Sequence, residues 1–463
     1  MRKTAAPLTL ILMLLAATFM SVAKPAYGTE VTENSWVTKA PMNEARGGLG
    51  VAAVNGKVYA IGGSTQQGLS DQYAKGIVGT NEEYDPTTDT WTFNTPMPTP
   101  RVYFAITVHQ NKIYCIGGYT RNSSLTGANE AYDSATDTWE TKKPMPTPRA
   151  LLRANGANGK IYLIGGNGPN SYLTLNEVYD PATDSWNTRA PLPTATATYA
   201  SAVVDNKIYV INSLNQIYNV ENDSWSHGAP LLDAFGGVGV ATSGFMAPKR
   251  IYVLGLMSYD DPSGSLSENS VRAYDPEMNS WYVGAALPTK RHEFGVAIVD
   301  DVLYAIGGQS YEQSSVPYVP SVTLYATNEQ YTPLRYGTIP PVVSIVSKEN
   351  QTYNSSSLPV TFAVNKQTVW MGYSLDGGET LTVTGNFTLT ELSNGLHNLT
   401  VYANDTLGNI GLSETSFFSV FVPEPENEVF PVLPVAIAIV AVIIVAAGLL
   451  LYNRKRRREA TQK

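Results

Sequence analysis

Apolar and β-branched residues fall in short runs along most of the chain, as in "GKVYAIGG", "NKIYCIGG" and "GKIYLIGG". Gly, Asn, Asp and Pro bound each run, and inside it apolar and polar positions alternate. That pattern predicts strands joined by tight turns. The same unit recurs six times. A small or apolar strand leads through a turn such as "NGK" to "(I/V)Y-x-(I/L)-GG"; a variable loop, "N-E-x-Y-D-P", a polar turn and a tryptophan follow. The first tyrosine of the unit is Tyr59, Tyr114, Tyr162, Tyr209, Tyr252 or Tyr304, and the second is Tyr84, Tyr132, Tyr179, Tyr218, Tyr274 or Tyr331. Seven residues after the second tyrosine stands Trp91, Trp139, Trp186, Trp225 or Trp281 in the first five units. Each unit reads as a four-stranded antiparallel sheet. It cannot bury both faces alone, so it must pack against its neighbours around an axis.

The sixth unit has no tryptophan after "NEQYTP", whereas "SWVTKAPM" near the start matches "TWETKKPM" of the second unit. The strand at 34–41 is therefore expected to complete the sixth sheet and close the ring. The glycine pairs Gly62/Gly63, Gly117/Gly118, Gly165/Gly166 and Gly307/Gly308, followed by "YDP" and Trp, resemble the Kelch-repeat β-propeller family. The resemblance covers roughly residues 30–335 and implies a six-bladed propeller. A propeller hosts many functions, so the fold alone does not choose among them.

Residues 338–422 change character. Seven runs from "PVVSIVS" to "SFFSVFV", separated by turn residues, predict an Ig-like β-sandwich that resembles cysteine-free domains of prokaryotic surface proteins. Trp370 is expected in its core, Asp405 and Asn409 in a turn, and "SLDGGETL" in a hairpin, although that string resembles a sialidase Asp-box without its Trp. "VPEPENE" then leads through a stiff linker (423–428) to 429–452, an uncharged stretch long enough to cross a bilayer as a helix. The basic residues of 453–463 predict a cytoplasmic tail. At the other end, residues 1–28 combine "MRK", a short apolar run and small residues, which predicts an export signal. The organisation expected is all-β: a propeller at 29–336, a sandwich and one C-terminal transmembrane helix. Such a protein sits in the plasma membrane by a single pass, with its N-terminal domains extracellular.

Setting aside residues 1–28 and 454–463 leaves 22 basic and 38 acidic residues, a net charge of −16. Such a surface excludes nucleic acid as a partner. The single cysteine, Cys115, excludes an internal disulfide and occupies an apolar strand position. Seven N-x-S/T sequons occur, at Asn122, Asn222, Asn350, Asn354, Asn386, Asn398 and Asn404, which predicts a surface glycoprotein.

Strand order puts the variable loops and the start of each inner strand on one face, here the top. The two tyrosines of a unit are 25, 18, 17, 9, 22 and 27 residues apart across those loops, and variable loops on a rigid scaffold favour binding. Thirteen residues before the first tyrosine stand Arg46, Arg101, Arg149 and Arg291; blade 4 has Thr196 there, and Phe235 is aligned to the position in blade 5 through "APLLDAF". The arginines, His292 and Phe235 are the candidate ligand-binding residues. Two readings of the arginines stand. They could receive carboxylates at the mouth, or pair with Glu82, Glu130, Glu177 and Glu329, which occur in the same four blades. Blade 4, with "KIYVINS", lacks arginine, glutamate and glycine pair together.

His109, His227, His292 and His397 fall in no zinc-binding spacing, and no G-x-S-x-G elbow exists. No catalytic residue, metal or cofactor is expected. A galactose oxidase-like site would need a Tyr–Cys cross-link with histidines, which Cys115 does not suit. The expectation is a cell-surface module that binds glycan or protein ligands through its top face without chemistry. The alternative is a glycan-modifying enzyme resembling sialic acid (N-acetylneuraminate) mutarotase, another six-unit Kelch propeller.

Overall fold

The computed structural model describes residues 32–66, 76–231, 235–257, 269–312, 321–347, 351–423 and 432–459. The expected export signal, most of the linker and parts of the top loops of blades 1, 5 and 6 lie outside them. The chain divides into two compact units, Met1–Pro340 with Thr406–Asn409, and Pro341–Asp405 with Ile410–Lys463.

The first unit is a β-propeller of six four-stranded antiparallel sheets. Blade 1 consists of Gly50–Val54, Lys57–Ile61, Asn81–Asp85 and Thr90–Asn94, from the axis outward. The inner strands of blades 2 to 6 are Ala105–His109, Arg153–Ala157, Ala200–Val204, Phe235–Ala241 and Gly295–Val299. Each inner strand neighbours the next in a closed cycle. The inner hairpins turn on paired left-handed residues such as Asn55/Gly56, Gln110/Asn111 and Asp205/Asn206, the geometry that matches strand twist.

Second strands such as "KIYLI" are buried on both faces, because a blade lies on either side. The tyrosine of each second strand meets the third-strand tyrosine of the next blade: Tyr59 with Tyr132, Tyr114 with Tyr179, Tyr162 with Tyr218, Tyr209 with Tyr274, Tyr252 with Tyr331 and Tyr304 with Tyr84. The ring centroids are 5.7–6.1 Å apart, within the range of favourable aromatic pairs.

A second device ties the outer edges. Trp139 donates its indole N–H to the Thr95 carbonyl just past blade 1 (2.8 Å), while the Asp137 carboxylate accepts the Thr95 amide (2.8 Å) and the Tyr132 hydroxyl (2.8 Å). The clasp recurs around the ring. In blade 6 it comes from the start of the chain. Ser35–Lys39 pairs with Asn328–Thr332 as the outermost strand. Trp36 reaches the Ala285 carbonyl (2.9 Å), and the Asn34 side-chain oxygen accepts the Ala285 amide (2.7 Å) and the Tyr331 hydroxyl (2.6 Å).

The second unit has one larger sheet, in the order Thr352–Tyr353, Ser416–Val420, Gly395–Asp405, Thr368–Leu375 and Leu381–Val383, with Ile410–Leu412 also on Gly395–Asp405. Two short pairs accompany it, Val343–Ile345 with Phe362–Val364 and Leu358–Val360 with Phe387–Leu389. Val360, Leu389, Leu399, Val401, Ala403 and Phe418 form its core. Trp370 is not in that core. A register shift between Thr368 and Trp370 turns its ring to the opposite side of the sheet, where its N–H donates to the Thr382 hydroxyl (3.0 Å). The C-terminal helix, Val432–Glu459, contains a stretch, Ala436–Arg457, of mean hydropathy 2.5, long and apolar enough to cross a membrane.

Candidate functional site at the channel mouth

The four repeat arginines are fully buried, and each pairs with the glutamate of its own blade. Arg46 meets Glu82 at 2.8 Å and Arg101 meets Glu130 at 2.8 Å; Arg149 pairs with Glu177, and Arg291 with Glu329. Other N–H groups of the same guanidiniums hold the second strand. Arg46 donates to the carbonyls of Ala60 (3.2 Å) and Gly62 (3.0 Å), and Arg291 to those of Ala305 (3.0 Å) and Gly307 (2.8 Å). The glycine pair belongs to the same network. Gly62 and Gly63 have φ of 64° and 91°, and the Gly63 amide donates to the Arg101 carbonyl of the next blade (3.0 Å). A Cβ on Gly62 would stand 2.8 Å from that carbonyl. Arginine, glutamate and glycines disappear together in blade 4 because they are one structure.

Blade 4 rebuilds the link from neutral groups. Asn212 donates from its side chain to the Thr196 hydroxyl (2.7 Å), and the Gln216 side chain accepts the Thr194 amide (2.9 Å). Ile211 and Asn215 end the two strands of this blade, and the Asn212 amide donates to the Leu214 carbonyl (3.0 Å) across the short turn. Blade 5 keeps the first glycine as Gly255, at φ 68°. The pairing of Val238 with Leu254, equivalent to that of Gly295 with Ile306, puts the arginine position at residue 234, outside the described residues. Phe235 therefore stands one step past it, at the start of the inner strand.

The mouth itself is built two residues after the arginine positions. Gly48, Tyr103, Leu151, Thr198, Gly236 and Glu293 all have positive φ, between 53° and 75°. Each turns the chain into its inner strand. Their backbones form a collar: the Gly48 amide donates to Glu293 (2.9 Å), Tyr103 to Gly48, Leu151 to Tyr103 and Thr198 to Leu151 (each 3.0 Å). Inside the collar lies a cavity of about 280 Å³, to which all six blades contribute, with Phe104, His292 and Phe294 among its walls.

Two charged side chains face this cavity. Gly48 has no side chain, so Tyr103 of blade 2 and Glu293 of blade 6 meet past it, hydroxyl to carboxylate at 2.6 Å. Gln309 donates to the same oxygen at 2.8 Å. Burial raises the Glu293 carboxyl above the ordinary glutamate range, against the lowering effects of Tyr103 and His292. Opposite stands Arg153. It donates to the carbonyls of Tyr199 (3.0 Å) and, across the channel, Gly237 (3.1 Å). Among the described residues no carboxylate pairs with it. Burial pulls the guanidinium below its ordinary value, partly offset by Tyr199, yet an arginine stays charged. The Tyr199 hydroxyl, to which the Arg153 amide donates at 3.1 Å, is pushed up to about 12 by burial.

Of the sequence candidates whose side chains are described, His292 alone lines the cavity. It is buried, and its backbone pairs with Gln309 in both directions at 2.8 Å. Sequence reasoning missed Arg153, Glu293 and Tyr103. A signal existed for the first: the equivalent residues are Gly50, Ala105, Ala200, Val238 and Gly295, and only blade 3 places an arginine there. Cys115 is buried, and burial pushes its thiol up to about 12, which leaves it unreactive. Among the described residues no three His, Cys, Asp or Glu side chains converge on one point.

Residues 48–227 match the KLHDC2/KLHL20/DRC7 Kelch-repeats domain. Those residues are Kelch repeats. Similar stretches occur in the influenza virus NS1A-binding protein homolog of Mus musculus, 41% identical over 83 residues, and in Kelch-like protein 15 of Homo sapiens, 35% identical over 94 residues. These cover 18% and 20% of the chain but only 12% and 15% of the relatives' own length. Beta-scruin of Limulus polyphemus is 29% identical over 101 residues, 22% of the chain and 10% of that protein. A solved structure described as "Structure of YjhT" aligns over 61% of the chain and 99% of its own, at 16% identity and a TM-score of 0.46. The matches to the three named relatives span 83, 101 and 94 residues. The cavity residues lie at positions where the blades of this chain differ from one another.

Proposed function

We propose that this Kelch propeller is a cell-surface binding module, anchored by its C-terminal helix, that takes the anionic end of an extracellular glycan or protein ligand into its top mouth. The observation that carries the reading is Arg153, a cation with no carboxylate partner among the described residues, facing a cavity of about 280 Å³. A cavity of that size admits one sugar ring or one peptide terminus, and aromatic walls with a few polar groups suit either. A guanidinium with an open edge suits a carboxylate. In this reading residues 338–422 form an Ig-like stalk, the repeat arginines are structural, and the tail 453–463 lies in the cytoplasm below a plasma membrane. Kelch domains generally bind protein partners, which agrees with the reading.

The test is a binding screen of the purified ectodomain on arrays of acidic and neutral glycans and of peptides with free or amidated C-termini. Binding that requires the carboxylate and is lost in Arg153→Met supports the proposal. Equal binding of neutral and acidic probes, or an unaffected variant, overturns it.

One feature favours a second reading, anomer exchange of an acidic sugar of the sialic acid mutarotase type. Glu293 is held protonated more readily than an ordinary glutamate and is hydrogen-bonded to Tyr103. Opening and closing a sugar ring needs a group that gives and takes a proton near neutral pH. NMR exchange spectroscopy on N-acetylneuraminate separates the two: faster exchange that Glu293→Gln removes supports catalysis, and unchanged exchange leaves binding alone.

A further inference from the structure

The larger sheet of the second unit has one side in the core and one side outside. Leu399, Val401 and Ala403 of its central strand, Gly395–Asp405, point inward. The alternate residues, Leu396, Asn398, Thr400, Tyr402 and Asn404, point the other way. Their cross-strand neighbours on that side are Phe417 beside Asn398, Leu412 beside Tyr402, and Trp370 and Ile410 beside Asn404. Leu396, Leu412 and Ile410 are 72%, 61% and 58% exposed, and Phe417 is 48% exposed. None of the residues paired on this side carries a charge. An uncharged apolar sheet face of this extent on a soluble unit marks a surface that something covers.

The sequence names an occupant. Two of the outward residues, Asn398 and Asn404, begin the sequons "NLT" and "NDT". They stand on the same strand on either side of Tyr402, each next to an aromatic ring. Neither side chain makes a hydrogen bond to another described residue. Asn386, in contrast, accepts the Phe362 amide with its side-chain oxygen at 3.1 Å.

We infer that Asn398 and Asn404 are N-glycosylated and that their sugars lie over this uncharged face. The inference rests on the proposed export of the unit. In the coupling, the asparagine Nδ2 forms a bond to C1 of the first sugar. The bond from C1 to the phosphate oxygen of a lipid-phosphate-linked oligosaccharide breaks, the amide loses one proton, and the lipid phosphate leaves. Once attached, the sugar places its C–H face against Trp370 and Phe417 and its hydroxyls toward water. The face is then covered without a partner protein.

The test is peptide mass spectrometry of the full chain isolated from its own membranes, before and after chemical deglycosylation. Asn398 and Asn404 are expected to carry a glycan mass that Thr400→Ala and Thr406→Ala abolish; Asn398→Gln and Asn404→Gln serve if those variants fail to accumulate. The aglycosyl protein should bind an apolar dye more brightly and aggregate at lower concentration. Glycans at Asn122 or Asn222 with bare Asn398 and Asn404 would overturn this inference and leave export standing. No glycan at any sequon would overturn both. Occupied sites with unchanged dye binding after removal would overturn the covering role.

Discussion

Arg149 and Arg153 lie four residues apart, beside the inner strand of blade 3, and have opposite situations. Arg149 is fully buried, paired with Glu177 and bonded to the carbonyls of Leu163 (2.9 Å) and Gly165 (2.8 Å). Arg153 faces the channel, bonded to two carbonyls and to no described carboxylate. The first occurs in four blades, the second in one. A repeat multiplies whatever the scaffold needs, so a residue found in most blades is explained by the scaffold. A residue that breaks the repeat is where a ligand enters the account.

The largest effect should come from breaking the paired arginine. Glu177→Ala leaves a buried guanidinium without its counter-charge, and such cuts cost about 3–5 kcal/mol. Urea unfolding should show that loss, while the double change Arg149→Met with Glu177→Leu should recover much of it. A loss as small as for a surface pair would erase the distinction between the two arginines.

Arg153→Met should behave in the reverse way. Its stability cost should stay at about 1.5–3 kcal/mol, the net value of a hydrogen bond from a charged donor. Affinity for a carboxylate ligand should drop by roughly ten- to a hundredfold, the worth of a charge-assisted bond. Calorimetry and melting on one preparation check both halves. Weakened folding with intact binding would return Arg153 to the scaffold.

These two residues also mark how far the sequence could be read. The blades, the Arg–Glu partnership and the closing strand were legible because spacing repeats, and equal spacing means equal geometry. The clasp of Trp36 and Asn34 on Ala285 was not, since it is a contact across 249 residues that no local pattern records. Nor was the collar: its left-handed turns hold Gly, Tyr, Leu, Thr and Glu alike, so conformation there leaves no mark on residue type. Tyr103 and Glu293 meet only because Gly48 between them has no side chain. Phe235 slipped one position because the alignment crossed an irregular stretch, and Trp370 left the core because a bulge flips every later side chain.

Acidity gives a smaller test. Glu293 has its folded value raised, so its contribution to stability is complete below the unfolded value and is lost as pH rises through the folded one. Over the same window a negative charge appears in the cavity. Carboxylate binding should therefore weaken as pH rises through that value, and Glu293→Gln should flatten the profile. A pH-independent affinity in the native protein would remove Glu293 from the site.

His397 supplies a third kind of cation, with its acid in place. Its Nδ1 meets Asp376 at 2.7 Å and its Nε2 meets the Ser393 carbonyl at 2.8 Å. Burial works to lower its value, and these bonds outweigh burial and raise it. The second unit should gain a small stabilisation that is full below the unfolded histidine value and fades as pH rises through the folded one. His397→Asn should remove that slope; a slope that persists would assign it to another group.

The closing strand sets an order of events. Tyr331 receives Asn34 from 297 residues earlier, so a chain made from its N-terminus holds its first strand unpaired while five blades form. The ring locks only when the sixth arrives. Until then Trp36 and its unpaired strand, Ser35–Lys39, form a surface that a second chain could pair with. Assembly should therefore be slow and sensitive to crowding, and the mature ring should unfold from that one seam.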